Sequence, residues 1–221
     1  MRFGNFFRLI FLLLILPASM FFTSCLQKGD MAIQQGSAYF QRKQFDLAET
    51  AFKMALDVEC SYPKEYIYVL ISNCYSQRGE YDGAIEWRNK ALEIREDAEN
   101  YVNLGLIYRL KNDETTAEQM YKKALELAPD DGGVYGSIAS LYLSQDRIDE
   151  AIPLFEKCLE LNPRMPVVYA DLAVCYARKG RFDEAEEMLS FAHKMKVDRY
   201  DEFRSEIDAL EKDAGYRREG V

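Results

Sequence analysis

The segment Ala98–Asp131, AENYVNLGLIYRLKNDETTAEQMYKKALELAPDD, decides the fold. Apolar residues recur in it at three- and four-residue steps, first over Tyr101, Leu104 and Tyr108 and then over Ala117, Tyr121 and Ala124. Residues so spaced share one face of a helix, so the pattern predicts two amphipathic helices, with the small Gly105, Ala117 and Ala124 letting them approach closely. The frame returns along the chain: Ala48, Ala84, Ala117, Ala151 and Ala185 stand at steps of 36, 33, 34 and 34 residues. A fixed period of this length predicts an array of helical hairpins, each burying surface only against its neighbours.

Within the segment, Tyr101, Leu104, Gly105, Tyr108, Ala117, Tyr121, Ala124 and Pro129 follow W-x₂-L-G-x₂-Y…A-x₃-F…P. The chain thereby resembles the tetratricopeptide repeat family over nearly all of its length beyond residue 28. The resemblance implies an all-α fold, a right-handed solenoid of about five hairpins with a C-terminal capping helix. Units are expected at about 29–64, 65–97, 98–131, 132–165 and 166–197, the cap at 198–214 and a frayed tail at 215–221. Tyr200, Phe203, Ile207 and Leu210 form the apolar stripe of that cap on an otherwise charged segment. The departures are specific: Arg88 takes an aromatic slot beside Trp87, and two extra residues near Cys60 to Pro63 lengthen the first loop. Pro153 follows Asp149, a candidate N-cap, closely enough to be expected near the first turn, where a missing N–H costs little. Gly132, Gly133 and Gly136 either admit a ligand backbone closely or loosen the helix they open, and loosening is the favoured reading.

The opening MRFGNFFRLIFLLLILPASMFFTSC pairs Arg2 and Arg8 with an apolar run and small residues before Cys25, as a secretory signal does. Phe22-Thr23-Ser24-Cys25 resembles a bacterial lipobox, with Phe22 where leucine is typical. The resemblance implies a signal peptide over 1–24, cleavage before Cys25, covalent lipid on Cys25 and a short linker over 25–28. The run Leu9–Leu26 is 18 residues, near the lower limit for spanning a bilayer, and Pro17 interrupts it, so a retained span is the weaker reading. Either way the rest of the chain is expected in the bacterial cell envelope. Leu26 is not the aspartate that holds some lipoproteins in the inner membrane, which favours the periplasmic face of the outer membrane.

The chain has 28 basic and 37 acidic residues; losing Arg2 and Arg8 with the signal deepens the negative charge. An acidic surface repels phosphate backbones and anionic headgroups, so nucleic acid is not an expected partner and membrane contact is expected from lipid alone. Cys60, Cys74, Cys158 and Cys175 show no metal spacing and are expected to be free buried thiols. His193 lacks partners at ligand spacing, and no nucleophile elbow, phosphate-binding loop or metalloprotease motif occurs. No catalytic residue, metal or cofactor is expected beyond the lipid on Cys25.

Function is then expected on the inner faces of the first helices. By resemblance to the family's groove, the candidates are Ile33, Ser37, Phe40 and Gln41, then Val69, Asn73 and Gln77. Val102, Leu106, Arg109 and Leu110 follow in the third unit, Ser140, Leu143 and Ser144 in the fourth, and Val174, Ala177 and Arg178 in the fifth. Aliphatic, amide and hydroxyl groups in this mixture suit an amphipathic helix or extended peptide. A clamp for a terminal carboxylate would want polar or basic groups where Ile33, Ser37 and Val69 stand, and only Asn73 fits one. The leading expectation is a membrane-anchored, non-enzymatic adaptor for another envelope protein or peptide in envelope or outer-membrane assembly. The alternative is a homo-oligomeric accessory subunit of a periplasmic solute-binding or transport system.

Overall fold

The computed structural model describes residues 28–216; the expected signal peptide over 1–24, Cys25 and residues 217–221 lie outside it. Among the described residues there are eleven α-helices and no strand. The chain divides into two compact units, Met1–Ile67 and Tyr68–Val221.

In the first unit, α1 (Lys28–Gln41) and α2 (Phe45–Leu56) form a hairpin. A Cβ added to Gly36 would lie 2.5 Å from the Phe52 ring, so only glycine lets α1 sit this close to α2. Phe52, Ala48 and Ala55 are fully enclosed. Burial of a large side chain such as Phe52 contributes roughly 1.5–3 kcal/mol.

The helix α3 (Lys64–Gln77) starts in the first unit and ends in the second. The second unit continues with α4 (Tyr81–Ile94), α5 (Ala98–Leu110), α6 (Glu114–Leu127), α7 (Gly132–Ser144), α8 (Ile148–Leu161), α9 (Pro166–Arg178), α10 (Phe182–Lys194) and α11 (Tyr200–Ala214). The pairs α5/α6, α7/α8 and α9/α10 are hairpins, and each packs on the next to share one core. The socket of the first unit recurs: Tyr121 stands on Gly105, where a Cβ would lie 2.4 Å from the ring. Phe155 and Ala139, then Leu189 and Ala173, take the corresponding positions, all buried.

The α3/α4 pair substitutes polar groups for this contact. Ser72 takes the small position and donates its hydroxyl to the Ala84 carbonyl at 2.7 Å. Arg88 takes the large one and is 2 % exposed. Its guanidinium donates to the side-chain oxygens of Asn73 at 2.6 Å and Asn100 at 3.0 Å. Asn100 is fixed by Asp97, whose carboxylate caps α5 by accepting from the Asn100 backbone N–H at 2.7 Å. Burial lowers the Arg88 pKa to about 10, against the pull of Glu99 and Asp97.

The turns between paired helices each contain one left-handed residue: Lys43, Gly79, Asn112, Asp146 and Gly180. Beside three of them an arginine lies over the last tyrosine of the first helix, with Arg78 4.7 Å from Tyr75, Arg147 3.7 Å from Tyr142 and Arg181 4.2 Å from Tyr176. Each of these arginines also pairs with a nearby glutamate, Glu80, Glu150 or Glu184. These cations stitch turns together.

Two expectations are corrected. Pro153 is not in a first turn: Arg147 is the N-cap and α8 begins at Ile148, so Pro153 is internal and the Asp149 carbonyl loses its helical donor. The proline side is exposed, and α8 continues through it. Gly132 and Gly136 admit close neighbours: a Cβ would lie 2.9 Å from the Cys158 carbonyl and 3.1 Å from its sulfur, respectively. Cys74, Cys158 and Cys175 are buried free thiols, whereas Cys60 is only half-buried, because the lengthened loop carries it toward the surface.

The last helix, α11, packs on α9 and α10. Ile207 is fully enclosed, with Tyr200, Phe203 and Leu210 half-buried around it. Arg204 bonds Glu186, and the Tyr216 hydroxyl donates to Asp183 at 2.6 Å. The opposite face, including Asp201, Glu202, Ser205 and Asp208, is exposed, as the end of a stack requires.

Two glycine substitutions separate packing from backbone strain. Gly105→Ala forces the Tyr121 socket apart and is expected to cost about 1–3 kcal/mol. Gly79→Ala meets nothing within 4 Å, but its φ of +76° costs about 1–2 kcal/mol. Urea melts of both variants, with Gly105→Ala the less stable, check the ranking.

Candidate binding groove

A cavity of about 250 Å³ opens in the second unit across α5, α7 and α9. Val102, Leu106 and Arg109 line it from α5, Gly133, Gly136, Ser137 and Ser140 from α7, and Val167, Val168 and Asp171 from α9. Met165, before α9, completes a wall, and Tyr121 is the one contribution from a second helix. The geometry follows from the sockets: the second helices are committed to the core, so the first helices keep a free face. Gly133 and Gly136 keep α7 low, leaving a hollow between α5 and α9.

The hollow is apolar with two charges of opposite sign. Leu106 and Val167 are exposed, while Val102, Arg109, Ser137, Ser140 and Asp171 are half-buried. Burial pushes the Asp171 carboxyl up to about 6; Arg109 opposes this, Glu206 adds to it, and the Ser140 hydroxyl and Arg199 oppose it more weakly. The Arg109 side chain has no hydrogen-bond or ion-pair partner among the described residues, in contrast to the arginines at the turns. An apolar hollow with one unengaged donor group and one poorly solvated carboxylate can hold a peptide segment that offers apolar and polar groups together.

Of the residues predicted from sequence, Val102, Leu106, Arg109 and Ser140 meet in this cavity. Leu110 and Ser144 are exposed and Leu143 half-buried outside its lining. Val174 and Ala177 are corrected: both are 2 % exposed and belong to the core, because α11 packs on α9. Arg178 is tied to Glu206 of α11 at 2.8 Å and to Asp146 at 3.2 Å. Asn73 is held by Arg88, which removes the one residue that fitted a carboxylate clamp. Val69 is half-buried and Gln77 exposed. In the first unit Ile33 is buried and so offers no binding surface, while Ser37 and Phe40 are half-buried and Gln41 exposed. Phe40 packs edge-on against Phe45 with ring centres 5.2 Å apart.

Ser137 and Asp171 were missed, although each stands one helical turn before a predicted residue, Ser140 and Val174, and so shares its face. Met165, Val167 and Val168 carried no such signal, since they enter through the bend leading into α9.

Family models described as Tetratricopeptide repeat match residues 63–130 and 142–207. The chain carries tetratricopeptide repeats. Such repeats mediate protein–protein and peptide binding as scaffolds. Among curated proteins, the chain is 34% identical over 95 residues to Heat shock protein STI1 of Saccharomyces cerevisiae, covering 42% of this chain and 16% of that protein. It is 33% identical over 70 residues to BBSome complex member BBS4 of Bos taurus, covering 32% and 14%. The chain thus spans only a small part of these relatives. Its fold is similar to that of Pseudomonas aeruginosa pilF, with TM-score 0.67, 20% identity and coverage of 84% of this chain and 90% of that one. It is similar to MamA, with TM-score 0.59, 23% identity and coverage of 82% and 97%. It is also similar to YrrB, described as a TPR protein with an unusual peptide-binding site, with TM-score 0.56, 21% identity and coverage of 82% and 90%.

The raised Asp171 pKa gives a signed pH dependence. Between about pH 4 and pH 6 the folded chain holds a proton that the unfolded chain has released, so stability falls as pH rises through this window. Asp171→Asn is expected to flatten that part of the stability–pH curve and to raise the melting temperature above pH 7. An unchanged slope between pH 4 and 6 contradicts the assignment.

Proposed function

We propose that this protein is a membrane-anchored, non-enzymatic adaptor that holds another envelope protein or peptide on the inner faces of its tetratricopeptide repeats. The observation that carries the reading is the hollow across α5, α7 and α9, where exposed Leu106 and Val167 flank Arg109 and Asp171. The half-buried Asp171 carboxylate is poorly solvated, and a partner's donor group would stabilise it. Covalent lipid on Cys25 places the chain at the periplasmic face of the outer membrane, in envelope or outer-membrane assembly, with no other cofactor. The lipobox-like Phe22–Cys25, followed by Leu26 rather than aspartate, supports this placement.

Photo-crosslinking in the native envelope from Leu106 and Val167, with Leu127 of α6 as the control position, tests the adaptor reading. One dominant adduct with an envelope protein, absent from Leu127, is expected. Adducts only with further copies of the chain, or none, transfer the assignment to a homo-oligomeric transport accessory.

A further inference from the structure

The first unit carries an apolar surface that the groove does not use. Met31, Met54, Val58, Tyr62 and Tyr66 are exposed, Met54 by 59% and Met31 by 50%. They gather at one end of the α1/α2 hairpin, because the first turn of α1 is fastened to the loop after α2. The Gly29 N–H donates to the Glu59 carbonyl at 3.0 Å, and the Asp30 carboxylate accepts from the Ser61 N–H and hydroxyl, both at 2.8 Å. Gly29 has no room for a Cβ, which would lie 2.4 Å from that of Cys60. Tyr62, in the lengthened loop, stacks on Tyr66 with ring centres 5.5 Å apart. Exposed apolar residues scattered singly need no explanation, but five on the segments fastened together at one end of this unit mark a candidate contact surface.

We propose that this end of the hairpin is a membrane-contacting surface, with Met31, Met54, Val58 and the Tyr62–Tyr66 pair entering the interfacial layer of the bilayer. The chain outside the structure specifies the occupant. The uncharged run Leu9–Leu26 ends two residues before Lys28, and Cys25 precedes Lys28 by three. Three extended residues reach roughly 10 Å, so an anchor at either place holds this end of α1 against the membrane. Tyrosine suits the boundary, having an apolar body and a polar tip, and apolar faces there bury about 5–10 Å deep. Lys28 and Lys64 are outnumbered by Asp57, Glu59 and Glu65, so the contact is apolar rather than an attraction to anionic headgroups. The first unit therefore meets the membrane through its own side chains as well as its anchor. This inference rests on the anchored reading of the function.

Depth-dependent quenching tests it on the full chain isolated from membranes and reconstituted into phosphatidylcholine vesicles with brominated acyl chains. In a Trp87→Phe background, tryptophan replaces Tyr62 or, at the far end of α1, Arg42. Flotation is read first: a chain that stays with the aqueous fraction ends the anchored reading and this inference with it. For a chain that floats, severalfold stronger quenching of Tyr62→Trp than of Arg42→Trp is expected, unchanged by added salt. Equal quenching at the two positions overturns the inference while leaving the anchor intact. A Tyr62→Trp emission shift that grows with protein density in unbrominated vesicles assigns the surface to a second copy of the chain and likewise overturns it.

Discussion

In every repeat a large side chain of the second helix stands on a small residue of the first, sixteen positions upstream: Phe52 on Gly36, Tyr121 on Gly105, Phe155 over Ala139 and Leu189 over Ala173. Two helices can approach this closely only where one of them gives up its side chain, so the small residue and the large one are a single constraint. The alanines four residues before each large side chain and three after it then close the same seam, all of them buried, with Cys158 standing in once for alanine. The hairpin period follows, since the socket can recur only when a whole pair of helices has passed.

The second repeat shows what happens when the constraint is met with polar atoms. Arg88 fills an aromatic slot and must be hydrogen-bonded where it lies, so it takes Asn73 from the surface and Asn100 from the start of the next repeat. A buried cation held by amides rather than touching carboxylates depends on its acceptors, because losing one leaves charge uncompensated. It also specifies its neighbours: Asn100 is in place only because Asp97 caps α5. Binding surface is spent there on internal order.

The hollow across α5, α7 and α9 arises by elimination. The second helices are used up by the sockets, the arginines of three turns by tyrosines and glutamates, and the inner face of α9 by α11. What is left unengaged is a short stretch of first-helix surface in which Arg109 and Asp171 face an apolar lining. Gly133 and Gly136 contribute by what they lack, one leaving space in the hollow and the other allowing α7 to meet Cys158.

The repeat signature from Tyr101 to Pro129 and its returning alanines were sufficient to read helix pairing, and the stripe of Tyr200, Phe203, Ile207 and Leu210 to read the cap, because that information is local, carried by spacing along one helix or one hairpin. Val102, Leu106, Arg109 and Ser140 were legible for the same reason: each occupies a fixed place relative to its own repeat's tyrosine. Only the tertiary structure decided which candidates remain free. Val174 and Ala177 have the right place in their repeat and lose it to α11; Asn73 has the right chemistry and loses it to Arg88; Asp171 enters because its neighbours bury it. Accessibility and electrostatic environment are set by residues far away in sequence, and periodicity carries no information about them.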